Sequence, residues 1–150
     1  MKKYAHLDLL EKHLDIIHPA HVRAFLTLLT ELRDVFDGDL DAMIILCAIS
    51  VEVNGVGWEE TLLASEPLEV VKILATNTKS IAEVTGIPRE TVRRKISSMQ
   101  EKGWVQRDNT GNWRPTRNSA RDLEPATRAT MTYISALIEA FEKAKADAKN

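Results

Sequence analysis

Three consecutive cations, Arg93, Arg94 and Lys95, stand in the stretch "TGIPRETVRRKISSMQEKGWVQRD", residues 85 to 108. Arg89 lies one helical turn before Arg93 and Ser97 one turn after it. Guanidinium groups at this spacing hold phosphates or take guanine edges through two parallel hydrogen bonds, so the chemistry they suit is polyanion recognition. The net charge of −2 over 150 residues hides an asymmetry: residues 1–71 carry −8, residues 72–117 carry +6, and residues 118–150 are neutral. That distribution directs the middle segment, and not the N-terminal one, toward a polyanion.

Other reactive residue types form weaker patterns. Cys47 is the only cysteine, which excludes an intramolecular disulfide, and its place in "AMIILCAI" predicts a small core residue. His6, His13, His18 and His21 cluster, and "HPAH" gives an i,i+3 pair, but no cysteine or acidic set completes a ligand spacing. No metal or cofactor is expected. Trp58, Trp104 and Trp113 read as packing residues, Trp58 also as a candidate wall for an effector pocket. There is no phosphate-binding loop, dinucleotide fingerprint, nucleophile elbow or metalloprotease motif, so no enzyme is expected. The longest apolar run, Ala42 to Ile49, falls far short of the ~18 residues of a membrane span. The N-terminus lacks the apolar core of a secretory signal, and a cytoplasmic protein is expected.

The elements that must position the cations follow from periodicity. From Thr78, a short helix carries Ile81, Ala82 and Val84 and closes at Gly86, a glycine suited to the left-handed position after a helix. Ile87 plugs the turn. Pro88 opens a second helix, where its missing N–H costs little. In that helix Val92, Ile96 and Met99 share one face, while Glu90, Arg94 and Ser97 point the opposite way and Arg89 and Arg93 flank them. Gly103 ends it. "WVQR", "DNTGN" and "WRPT" then read as strand, turn and strand, with Arg107 and Arg114 beside the tip.

The flanks read as helices. Leu7, Leu10, Leu14 and Ile17 make one apolar face, and Pro19 predicts a new helix start. Val22, Phe25, Leu29, Leu32 and Phe36 continue the spacing, and Asp39 is the expected N-cap of a buried helix over "LDAMIILCAISVEV". A turn at 54–57, a short acidic helix over "WEETLLA" and a helix opened by Ser65 and Pro67 should follow. "TRNSARDLEP" reads as a connector. Beyond Pro125, Met131, Ile134, Ile138 and Phe141 form a narrow seam that must pack on another helix, and a second subunit is the expected partner.

At Ile81-Ala82, Gly86-Ile87, Thr91-Val92-Arg93-Arg94, Met99 and Gly103-Trp104-Val105 the chain resembles the winged helix-turn-helix of bacterial transcription regulators of the MarR and GntR types. The resemblance covers about residues 72–116. It implies three helices plus a β-hairpin wing; the apolar seams on either side add N- and C-terminal dimerisation helices to a mainly α fold, although the N-terminal helices do not follow the layout of the MarR type. It implies a homodimeric repressor or activator on double-stranded DNA, often answering to a small-molecule effector. Pro88 stands where that family usually carries a helix-capping serine. The expected division is 1–66 (helical packing and dimerisation), 67–117 (DNA binding) and 118–150 (C-terminal dimerisation helix). The expected DNA-binding residues are Lys79, Ser80, Pro88, Arg89, Glu90, Thr91, Arg93, Arg94, Ser97, Arg107 and Arg114. The alternative is a protein-interaction module whose same helix docks an acidic partner. The cationic outward face favours DNA.

Overall fold

The computed structural model describes residues 6–51 and 76–148. The turn at 54–57, the two helices expected after it and Trp58 lie outside the described residues. The described chain is mainly helical with one small two-stranded antiparallel sheet. In order the elements are α1 (Leu7–Lys12), α2 (Leu14–Val35), α3 (Leu40–Val51), α4 (Thr78–Thr85), α5 (Arg89–Glu101), β1 (Val105–Arg107), β2 (Trp113–Pro115), α6 (Arg117–Asp122) and α7 (Glu124–Asp147). They fall into two compact units. One joins residues 1–35 to 125–150, and the other comprises residues 36–124. None of the described helices is long and apolar enough to cross a membrane.

The first unit is built from α1, α2 and α7. The chain breaks at His13, not at Pro19: α2 begins at Leu14 and carries Pro19 inside it. The proline sits in the second turn, where it removes a single backbone bond, and the apolar spacing on both sides carries the helix through. Tyr133 of α7 meets α2 through a hydrogen bond of 2.9 Å between its hydroxyl and His21 Nδ1, and by ring contact with Phe25 at 5.8 Å. His6 stands edge-on to Phe141 at 5.0 Å. On α7 the small residues Ala140 and Ala144 are buried. Of the apolar side chains, Val22, Leu26 and Leu29 of α2 and Met131, Ile134 and Ile138 of α7 are exposed, whereas Phe25 and Phe141 take part in the contacts within the unit.

The second unit has a closed core. Asp37 and Gly38 take positive φ in the turn before α3, and Asp39 caps that helix by accepting the Ala42 N–H at 3.0 Å. Burial on α3 follows one stripe, Ala42, Ile45, Leu46 and Ile49, the i, i+3, i+4, i+7 spacing of a single helix face. The helix is apolar nearly all round, yet only this stripe of it is buried. Leu40, Val51 and Cys47 are exposed, and Cys47 is not a core residue. The stripe meets α4, α5 and β2, and β1 meets α5. Ile45, Ile49, Ile81, Val92, Ile96 and Met99 lose essentially all contact with water. Each such aliphatic side chain contributes roughly 1.5–3 kcal/mol.

Phe36 closes the core edge-on to Trp104 at 6.0 Å, and the Trp104 indole N–H donates to Asp122 at 3.0 Å. "TRNSARDLEP" is not a bare connector. Thr116 caps α6 by accepting the Ser119 N–H, and its hydroxyl donates to the Gly103 carbonyl.

Candidate nucleic-acid interface

The turn between α4 and α5 is set by three residues. Gly86 closes α4 at φ 71°, its N–H donating to the Ala82 carbonyl at 2.9 Å. No atom lies within 4 Å of where a Cβ would stand, so the glycine is required by its dihedral and not by crowding. Thr85 ties the turn from within: its hydroxyl donates to the Ile81 carbonyl at 2.7 Å and accepts the Ile87 N–H at 3.3 Å. Pro88 enters α5 in extended conformation (φ −53°, ψ 135°) and has no side-chain acceptor for the first turn. The early N–H groups of α5 therefore receive no side-chain cap from that position.

Helix α5 separates its faces cleanly. Val92, Ile96 and Met99 are buried; Arg89, Glu90, Arg93, Arg94 and Ser97 are exposed, and Thr91 is half-buried between them. The consecutive cations have three different environments. Arg93 lies in a two-toothed hydrogen bond to Glu90, with Nε to Oε2 at 3.0 Å and Nη2 to Oε1 beside it. That bond, with the Arg93 and Arg94 charges behind it, outweighs a small burial effect and holds the Glu90 carboxyl below its ordinary range. Lys95 turns back to Asp39 at the start of α3. Burial opposes the charge of Asp39, but the Lys95 hydrogen bond, the Ala42 N–H and the Lys95 and Lys102 charges lower its pKa overall. Arg94 has no hydrogen bond or ion pair among the described residues, nor has Arg89.

On α4, Ser80 sits in the first turn with its N–H held by the Asn77 cap at 3.0 Å, and Lys79 lies 3.8 Å from Glu83 on the exposed side. The left-handed Gly103 ends α5. Its N–H returns to the Gln100 carbonyl and the Trp104 N–H to the Met99 carbonyl, both at 2.9 Å, the paired closure of a Schellman motif. This closure delivers the chain straight into β1.

The hairpin pairs Val105 with Pro115, Gln106 with Arg114 and Arg107 with Trp113. Asp108 organises its tip. Its carboxylate accepts the Thr110 and Asn112 N–H groups, the Thr110 hydroxyl and two N–H groups of Arg114. These bonds, the Thr110 hydroxyl first, push its pKa far below the ordinary carboxylate range. Arg114 is consequently a brace under the tip, its side chain only 11% exposed. Arg107 is exposed, with its guanidinium 4.9 Å over the Trp113 ring. The buried Thr76 adds a third rung. Its hydroxyl donates to the Trp113 carbonyl at 2.7 Å, its carbonyl accepts the Trp113 N–H, and its own N–H donates to Asn112.

Of the residues singled out by type and spacing, the structure brings Arg89, Glu90, Arg93, Arg94 and Ser97 onto one helix face. Arg114 is instead engaged by Asp108 at the hairpin. Asp39 takes the N-cap position expected of it, but its pairing with Lys95, like the roles of Thr76 and Asp108, was not assigned by spacing. For Asp108 a signal existed, since an aspartate opening "DNTGN" can bond the N–H groups two and four residues on. The Asp39–Lys95 pair spans 56 positions and leaves no local trace. No metal-binding group of three or more His, Cys, Asp or Glu occurs among the described residues. No family model, curated protein or solved structure matches the chain.

Proposed function

We propose that the chain is a DNA-binding transcription regulator of winged helix-turn-helix type, acting as a homodimer. Helix α5 is the recognition helix in the major groove, and the hairpin is a wing on the backbone or minor groove. One observation carries the reading: a 13-residue helix, fixed by a left-handed glycine turn and buried along Val92, Ile96 and Met99, presents Arg89, Arg93, Arg94 and Ser97 together to solvent. A helix of that size fits the major groove, and arginine on its outward face reads guanine or holds phosphate. In this reading Arg94 is the base-reading candidate, Arg89 and Arg107 meet phosphate, and Arg114 supports the wing without touching DNA.

The dimer rests on the exposed seams of α2 and α7, which a second copy would cover through a self-complementary contact. Two recognition helices then meet two half-sites, as dimeric regulators of this kind require. Selection of duplexes from a random pool tests the function. The wild-type chain should enrich a defined site, and Arg94→Ala should weaken binding to it by about 5- to 150-fold and relax one position. A folded Arg93→Ala/Arg94→Ala protein that keeps full affinity rules the reading out.

A further inference from the structure

We propose that Glu90 and Asp39 determine specificity at this surface: each neutralises one cation of the Arg93–Arg94–Lys95 row, leaving base reading to Arg94 and holding down attachment to unrelated DNA. The inference rests on the DNA-binding reading above and adds to it the role of two acids.

Glu90 and Arg93 are both well exposed, 76% and 65%, yet the guanidinium fork is occupied by the carboxylate one turn before it. A fork so held presents a neutral pair to a phosphate, not a cation. Asp39 divides its oxygens between two tasks. Oδ1 caps α3 through the Ala42 N–H, and Oδ2 draws Lys95 back to 23% exposure. The acid belongs to a different helix, so the pairing is built by the fold and not by neighbours along α5. Two of three consecutive cations are thereby compensated.

Non-specific binding grows with the number of phosphates a surface neutralises, whereas specificity depends on contacts to base edges. A surface that ties carboxylates to its own cations lowers the first without touching the second. A carboxylate left near the backbone also repels phosphate.

The test measures affinity for two probes, a duplex recovered by selection and the unselected random pool, from 50 to 200 mM salt. Glu90→Gln keeps side-chain size, and Asp39→Asn keeps an oxygen for the α3 cap. Each variant should bind the random pool more tightly and narrow the preference for the selected duplex. Each should also steepen the log–log salt slope by about 0.9, because the released cation neutralises one more phosphate, so affinity lost across that salt range grows about threefold. Glu90→Gln/Arg93→Gln and Asp39→Asn/Lys95→Gln should return pool affinity and slope to wild-type values, because the freed cation is then gone. Unchanged slopes in the single variants overturn the inference. So does tighter pool binding that persists in the double variants, since it would not come from the released cation. A wild-type chain that binds neither probe at 50 mM salt defeats the DNA-binding reading itself and the inference with it. Should Asp39→Asn fail to fold by circular dichroism, the Glu90 pair of variants, at an exposed position, decides the outcome alone.

Discussion

The two units use their apolar residues in opposite directions. In the second, Ile45, Ile81, Val92 and Ile96 are sealed inside, and Trp104 and Thr76 at the core's edge bond to Asp122 and to the Trp113 backbone, although the Trp113 indole N–H and one Arg114 nitrogen are buried without a partner among the described residues. In the first, the buried positions of α7 include the small residues Ala140 and Ala144, while Met131, Ile134 and Ile138 stand in water, as do Val22, Leu26 and Leu29 of α2. Along these stripes the same residue types serve folding in one unit and stay exposed in the other, with Leu28 buried in the first and Leu40, Val51 and Val84 exposed in the second as exceptions. Aliphatic content alone does not say which; the partners across the helix do.

Truncating one isoleucine in each unit should separate these uses. Ile96→Ala removes a side chain that is 1% exposed, and should destabilise the fold by about 2–5 kcal/mol, read as a shift in denaturant midpoint. Ile134→Ala, at 48% exposed, should stay within about 0.5 kcal/mol in the monomer. Equal losses would erase the contrast.

A charge on the seam sharpens the point. Ile134→Glu should weaken self-association at least about 30-fold by sedimentation while leaving the helical signal intact, the scale of losing a central interface contact. An intact chain that already sediments as a monomer at micromolar concentration would show that the seams serve no second copy.

Smaller effects probe the closed unit. Gly86→Ala meets no steric obstacle but must hold φ at 71°, and should cost about 1–2 kcal/mol of thermal stability. Acid should act on this unit. Asp39 and Asp108 both have folded pKa values below the unfolded value of 3.8. Their stabilising contribution is therefore complete above that value and is lost as pH falls through the lower folded values. Melting temperature should drop on acidification below about pH 4, and Asp108→Asn should flatten that drop. A variant profile parallel to the wild type would remove Asp108 from the account.

Much of the second unit can be read directly from residue order. Gly86 and Gly103 demand left-handed backbone, Pro88 suits a helix start, and the spacing of Val92, Ile96 and Met99 defines a buried face; each is a local constraint within a few residues. Local rules fail where competition is decided at a distance. Pro19 could open a helix or sit within one, and the apolar pattern on both sides of it settled the matter. Thr116 caps α6 inside a stretch rich in turn formers, where the short Arg117–Asp122 helix carries no apolar period of its own. The exposure of Cys47 depends on which side of α3 is covered, which periodicity cannot say when every side is apolar. The site follows the same division: the outward row of Arg89, Arg93, Arg94 and Ser97 is a matter of 100° steps, whereas the pairing of Lys95 with Asp39 exists only once α3 and α5 have met.

The first unit is interrupted in sequence by the whole of the second, and this has a consequence for synthesis. Helix α2 ends at Val35, and its partner α7 begins at Glu124, close to ninety residues later. At about 5–20 residues per second, α2 is synthesised roughly 5–20 seconds before Tyr133 and Phe141 exist to meet it. The second unit, complete by Glu124, can close its core during that interval. For those seconds the nascent chain carries a 22-residue amphipathic helix whose long partner has yet to be made. That is the period in which a holding chaperone would matter most to this protein.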